Sequence, residues 1–233
     1  MRSSVVAVVP ARLGSQRLPG KNRRQLAGQS LFDRAIECAL TAVTVHEVIG
    51  STDDPALLAR PPQDRVTMLP RAAHLATDRS STLEVILDVF ERVGVPDVLV
   101  LLQPTSPLRV PDDVDACVSL LLASPQCPSV VTTCTTEHPI EWTFENRHGV
   151  IEPVFGWDAL TGRSQDQPLR HRLNGAVYAV RGEHLVAGGT FVSPGTQLIE
   201  MPHSRSVDID TEADFVLAAT LLKRNPDRAL EAR

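Results

Sequence analysis

The stretch "VVPARLGSQRLPGKN", residues 8–22, is where the reading of the fold is decided. Its apolar start belongs to "VVAVVP" (5–10), a short β-branched run ended by proline, as expected of a strand covered on both faces. A loop leaves that strand's carboxyl end, with Gly14, Ser15 and Gly20 set among Arg12, Arg17 and Lys21. Such small residues let successive amides turn inward as an anion nest, and the cations make polyphosphate the fitting guest. The spacing is not that of a Walker A loop. The interval from Gly14 to "GK" is one residue too long, and Asn22 stands where Ser or Thr would hold magnesium. A Rossmann GxGxxG is absent as well. On these residues alone, a solvated basic turn is the competing reading.

Outward from this loop the pattern repeats. "DVLVLLQP" (97–104) reads as a second central parallel strand, with weaker strands at "EVIGST" (47–52), "RVTML" (65–69), "SVVTTC" (129–134) and "GAVYAV" (175–180). Helical chemistry lies between them. Ser30 caps "SLFDRAIECAL" with Asp33 three positions on, Ser81 or Thr82 opens a helix ending at Gly94, and "DDVDACVSLLLA" (112–123) comes soon after the second strand. Thr211 caps a last helix running to about Lys223. This alternation predicts an α/β fold, a Rossmann-like doubly wound, mostly parallel sheet. The α/β domain is expected over residues 1–136 and 174–226, with 137–173 an insertion that leaves the sheet as a lid or dimer arm, and 227–233 a frayed tail.

Composition narrows the function classes. A net charge of -5 and a pI near 5.8 give no broad basic face for nucleic acid. Against that acidic background Arg12, Arg17, Lys21, Arg23 and Arg24 make the opening loop a local positive site. Cys38, Cys117, Cys127 and Cys134 form no CxxC pair and no histidine has ligand spacing, so the cysteines read as buried thiols and no zinc site is assigned. No apolar run approaches the length of a membrane span, roughly 18 residues, and the expectation is a soluble cytoplasmic protein.

Three further segments place polar residues at or past predicted strand ends, on the edge of the sheet that carries the opening loop: "STDDP" (51–55), "LLQPTSPLR" (101–109) and "VDIDTEAD" (207–214). Asp208 and Asp210, one residue apart, project from one face of an extended chain. Two carboxylates beside a polyphosphate loop suit magnesium, which takes few protein oxygens plus water and phosphate. Read individually, Asp210 is equally a helix cap beside Thr211 and Asp208 a solvated strand end.

Taken together these motifs resemble the acylneuraminate cytidylyltransferase family, the CMP-sialic acid synthetases and their nonulosonate relatives. "ARLGSQRLPGKN", "RAAHLATDRSS", "LLQPTSPLR", "RSQD", "LNGAVYAV" and "VDIDTEAD" keep the family's order from about Val5 to Leu222. The resemblance implies a nucleotidyltransferase fold of the type A kind and a magnesium-dependent (or other divalent cation-dependent) transfer of CMP from CTP to the anomeric hydroxyl of an acidic sugar, with pyrophosphate leaving. It implies Arg12, Lys21 and Asp210 as catalytic. Ala11, Gly14, Ser15, Arg17, Asn22, Arg71, Ser81 and Thr82 would bind nucleotide alongside Arg12 and Lys21. Gln103, Thr105, Arg163, Gln165, Arg170, Asn174 and Tyr178 would face the sugar acid, and Asp208 and Asp210 would carry the metal. A guanidinium grips a carboxylate in two places, so Arg163, then Arg170 and Arg172, are the candidates for the acid group. A homodimer whose insertion reaches the partner's site is also implied.

The chain departs from the family pattern at Gln16, Ser164 and His74, which stand in place of a lysine, an arginine and an acid. Competing readings are activation of 3-deoxy-manno-octulosonate, of a phosphonate or of a sugar 1-phosphate, a P-loop kinase, and a non-catalytic nucleotide-binding protein.

Overall fold

The computed structural model describes residues 3–14 and 17–224. Ser15, a predicted nucleotide ligand, Gln16 and the predicted frayed tail lie outside the described residues. In chain order the elements are β1 (Val5–Ala11), β2 (Gln25–Leu26), β3 (Gln29–Ser30), α1 (Leu31–Thr41), β4 (Glu47–Thr52), α2 (Pro55–Leu58) and β5 (Val66–Pro70). Then come α3 (Thr82–Val93), β6 (Val98–Leu101), α4 (Pro111–Ala123), β7 (Ser129–Thr135), β8 (Phe144–Arg147), β9 (Val150–Pro153), β10 (His171–Arg181), α5 (Gly182–Val186), β11 (Gln197–Glu200) and α6 (Glu212–Arg224).

Seven strands form one sheet in the order β11-β7-β10-β6-β1-β4-β5. β1 pairs in parallel with both β4 and β6, while β10 runs antiparallel to β6 and β7. From β1 the chain winds outward through β4 and β5, then returns to lay β6 on β1's other side. That reversal opens a crevice beyond the carboxyl ends of β1 and β6, where the opening loop and the "LLQPTSPLR" turn emerge.

Both faces of the sheet are covered, which is why β1 and β6 read as unbroken apolar runs. Val5, Ala7 and Val9 pack with Phe32 and Ile36 of α1 and Val114 and Val118 of α4. Val8, Leu99 and Leu101 pack on the opposite face with Ile86, Val89 and Phe90 of α3. The helix ends obey local chemistry: the Ser30 hydroxyl accepts from the Asp33 amide, and Ser81 and Glu84 form a reciprocal capping box. A third cluster joins Leu18 of the opening loop to Leu108, Ile209 and Leu222, so α6 presses three site-bearing segments together.

Residues 137–173 contribute both to a separate hairpin and to the main sheet. β8 and β9 form a separate hairpin, but His171–Leu173 already pair with β7, so β10 starts before the predicted boundary at 173. The four cysteines are free and buried. Among the described residues no helix is long and apolar enough to cross a membrane.

Candidate active site

The crevice is a cleft of about 590 Å³. Its lining brings together Arg12, Arg17, Lys21 and Asn22 from the opening loop, Arg71 and Thr82 from the far side, Gln103 and Thr105 from the turn after β6, and Asp208 and Asp210.

Gly20 sits at φ +64, a conformation that costs glycine little, and starts the 3-10 turn Lys21–Arg23. The turn sends Lys21 across to the C-terminal acids. Its Nζ donates to the Ile209 carbonyl at 3.0 Å and to Asp210 Oδ1 at 3.2 Å. Arg17 holds the other Asp210 oxygen at 2.8 Å. Asn22 is buried and donates its amide to the Arg12 carbonyl at 3.0 Å, fixing the backbone from which Arg12 extends. Arg12 pairs with Asp78, and Arg71 donates to the Ser51 carbonyl at 2.9 Å. Burial lowers the Arg71 guanidinium from its ordinary value, an effect opposed by Asp53.

Asp208 is reached by solvent through the open cleft yet walled by protein on its other sides. That desolvation pushes its carboxyl up from the ordinary range, opposed by a hydrogen bond from Thr105 and reinforced by the neighbouring Asp210 charge. An additional positive charge between the two acids would relieve both effects. Hard oxygen donors from two carboxylates, facing the same cleft as the phosphate-type cations, fit a magnesium-like ion that keeps water and phosphate ligands. Among the described residues there is no group of three or more His, Cys, Asp or Glu placed to cage a metal by themselves.

Several of the residues singled out in the sequence lie outside the lining of the cleft or are engaged elsewhere. Ala11 is buried in the core and Gly14 is exposed, and neither lines the cleft. Ser81 is occupied as the cap of α3; Ser80 and Thr82 reach the cleft instead. Asn174 is buried and its amide is fully engaged: Oδ1 accepts from Thr132 Oγ1 and the Ala176 amide, and Nδ2 donates to Ser206 Oγ. It braces the start of β10 and is not part of the cleft lining. Tyr178 does not line the cleft; it stacks edge-on against Phe191 at 5.9 Å, with its phenol raised by burial and by the Asp208 charge. Arg163 and Gln165 lie on the insertion, away from the cleft lining. Arg170 is held by Glu141 at 3.0 Å and Arg172 by Glu137 at 2.6 Å. Of "STDDP", Asp53 accepts from the Leu13 amide and Asp54 caps α2, so this turn braces the opening loop.

The cleft residues missed in the sequence are chiefly Thr77, Asp78 and Ser80. Their signal was the "RAAHLATDRSS" run, in which polar residues crowd ahead of a helix cap.

This chain is similar to known proteins in sequence and in fold. The family model described as cytidylyltransferase matches residues 6–172. The CMP-N,N'-diacetyllegionaminic acid synthase of Legionella pneumophila is 31% identical over 231 residues, covering 96% of this chain and 98% of that protein. An N-acylneuraminate cytidylyltransferase of Escherichia coli is 27% identical over 96% of this chain, which spans 53% of that longer protein. The pseudaminic acid cytidylyltransferase of Campylobacter jejuni is 25% identical over 96% of this chain and 98% of its own length. Among solved structures, a CMP:2-keto-3-deoxy-manno-octonic acid synthetase complexed with CTP superposes with a TM-score of 0.68 at 20% identity, covering 96% of this chain and 100% of that one. At that identity the likeness concerns the fold.

Proposed function

This chain belongs to the cytidylyltransferase family, and from that premise and the residues of the cleft we propose that it transfers CMP from CTP to the anomeric hydroxyl of a sialic-acid-like nonulosonic acid, releasing pyrophosphate. The observation that carries the reading is the meeting of Lys21 and Arg17 with Asp210 across the crevice between β1 and β6. Phosphate-binding cations and candidate metal-binding acids share one cleft. The printed names of the relatives, which concern legionaminic, neuraminic and pseudaminic acids, favour a nonulosonic acid as acceptor.

In the proposed reaction the acceptor oxygen forms a bond to the α-phosphorus of CTP as the bond to the bridging oxygen of pyrophosphate breaks, and the hydroxyl proton is lost to solvent. Negative charge spreads over the phosphate oxygens and grows on the leaving group. Arg12, Arg17 and Lys21 are held on a short loop braced by Asn22 and Asp53, so their charge is in place before the reaction and needs no reorganisation. Asp208 and Asp210 would hold magnesium or another divalent cation, which supplies further neutralisation of the triphosphate when bound. Gln103 and Thr105, on the opposite wall, would orient the acceptor.

Among the described residues, no arginine of the same chain's insertion lines this wall to take a carboxylate. The insertion instead exposes Val150, Trp157 and Leu169 at 66%, 63% and 71%, apolar surface that favours an arm docked on a second copy. A homodimer in which Arg163 acts in the partner's cleft is consistent with that exposure.

The test is a pyrophosphate-release assay on purified protein with a panel of acceptor acids. Turnover is expected only when CTP, a divalent cation and a nonulosonic acid are all present. Phosphate release from ATP without any sugar would overturn the reading.

A further inference from the structure

The "LLQPTSPLR" segment ends in a cation with an unusual position. Arg109 is 6% exposed and, among the described residues, makes no ion pair; its Nη1 donates instead to two backbone carbonyls, those of Gln103 and Ala176, each at 2.8 Å. The nearby Asp113 is already gripped through both oxygens by Arg205 at 2.5 Å. Burial lowers the Arg109 guanidinium from its ordinary value. Burying a charge is costly unless the groups it holds repay it, so what Arg109 joins is informative.

It joins the two walls of the acceptor side. Gln103 belongs to the turn after β6, and Ala176 to the irregular stretch of β10 where the register shifts between Leu173 and Tyr178. One residue before Ala176, Gly175 sits at φ +73 directly against the turn. A Cβ there would lie 2.9 Å from Gln103 Oε1, 3.4 Å from Ser106 Oγ and 4.0 Å from Asp208 Oδ2. The same turn reaches the acids: the Thr105 carbonyl accepts from the Ile209 amide at 2.7 Å, between Asp208 and Asp210. One buried guanidinium thus sits where the Gln103 turn and the β10 bulge meet, and that turn in turn contacts the Asp208–Asp210 segment.

We propose that Arg109 is a positioning residue that clamps the Gln103 turn against the Gly175 bulge and so fixes the acceptor-facing wall of the cleft, with a much smaller effect on the separately braced triphosphate-binding loop. The inference rests on the transfer reaction proposed above. It predicts a separation of kinetic constants that a general packing role does not produce. The opening loop has braces of its own in Asn22 and Asp53, so loosening the turn should disturb the acceptor far more than the nucleotide, although Thr105 also touches the Ile209 backbone.

The experiment is steady-state kinetics on Arg109→Met, Arg109→Lys and Gly175→Ala, using CTP, magnesium and an acceptor acid that the unaltered enzyme turns over. Arg109→Met is expected to raise the acceptor KM at least about tenfold while the CTP KM stays within about twofold. Arg109→Lys, which keeps charge and donors but not the fork, should recover part of the loss. Gly175→Ala, which pushes a methyl onto Gln103, should reproduce the acceptor defect and carries the test should the methionine variant fail to fold. Equal rises in both KM values, or a fall in kcat alone that follows the folded fraction, would overturn the proposal. An unaltered enzyme that turns over no acid with CTP would overturn the function reading first, and is told apart by being seen before any variant is made.

Discussion

Asp210→Asn separates a functional acid from a structural one because the two readings differ in size. In the cleft Asp210 touches Lys21 at 3.2 Å and Arg17 at 2.8 Å. At an effective dielectric of about 20, the Lys21 contact alone is worth roughly 5 kcal/mol of gross attraction. Most of this is cancelled by the cost of leaving water, for Asp210 is 30% exposed and the Arg17 side chain 72% exposed. Exposed pairs of this kind net about 1 kcal/mol or less. For a domain of this size that corresponds to a fall in Tm of about 4 °C at most. Asparagine also keeps the side-chain shape and one acceptor oxygen. If Asp210 helps hold the divalent cation that would neutralise a reacting triphosphate, losing its charge weakens that cation's hold and costs on the order of 3 kcal/mol, about a hundredfold in rate. The assay is pyrophosphate release at saturating CTP, run beside a thermal melt. The expected result is a hundredfold slower enzyme that melts within a few degrees of the original. A rate within about threefold, or a rate loss that tracks unfolding, would refute the argument.

Lys21→Met and Arg17→Ala should differ: the Lys21 side chain is 17% exposed and tied at two points, so its loss is expected to lower kcat about a hundredfold, whereas the exposed Arg17 should mainly raise the CTP KM, by about fivefold to tenfold. Asn174→Ala leaves Thr132, Ser206 and the Ala176 amide short of partners and should cost about 3 kcal/mol in a urea titration, with kcat/KM within about threefold at a temperature where the variant is folded. Arg172 holds the Glu137 carboxyl down at about 2, so the pair's stabilisation is fully present above the unfolded carboxylate value, about 4.3, and is lost as pH falls toward 2. Because both side chains are substantially exposed, the loss is about 1 kcal/mol or less, and Glu137→Gln should flatten that part of a urea-stability profile measured between pH 5 and pH 3. The double substitution Val150→Glu with Trp157→Glu places charge on the exposed insertion and should convert a dimer to monomer by sedimentation velocity, with the monomer's melting temperature little changed.

What was legible in the sequence was local. Ser30 with Asp33, Ser81 with Glu84, Gly94 with Phe90, and Thr211 with Asp214 each mark a helix end through hydrogen bonds spanning a few residues. The apolar runs of β1 and β6 announce burial on both faces. The insertion of β10 antiparallel between β6 and β7 was not legible, because strand order is fixed by pairings between residues far apart in the chain. The β8–β9 hairpin was missed for a different reason. It turns at His148 and Gly149, with φ +55 and +88, and histidine is an uncommon choice for a left-handed position usually marked by asparagine or aspartate. The engagement of Asn174 within the fold was not legible either, because a polar residue ahead of a glycine looks the same in sequence whether it faces a ligand or anchors a bulge.

The positive loop read from the sequence is, in the folded chain, not an unpaired charge. Arg12 meets Asp78, Arg17 and Lys21 meet Asp210, Arg23 meets Asp54, and Arg24 meets Glu212. These acids come from three separate segments, all beyond the loop's own residues. Like charges crowded into thirteen positions repel one another, and the loop can be compact because those segments neutralise it. The pairs are not equivalent for binding. Asp54 caps α2, and Glu212 pairs outside the cleft lining, so Arg23 and Arg24 anchor the loop from behind. Asp78 and Asp210 line the cleft itself, and there a triphosphate offers Arg12, Arg17 and Lys21 more negative charge than the carboxylates do. In the proposed reaction, an exchange of acid for phosphate would keep each cation partnered before and after binding, and would release Asp210 toward a divalent cation as the nucleotide brings the remaining ligands. On this proposal Asp210 would serve twice, steadying the loop before nucleotide arrives and holding the cation afterwards.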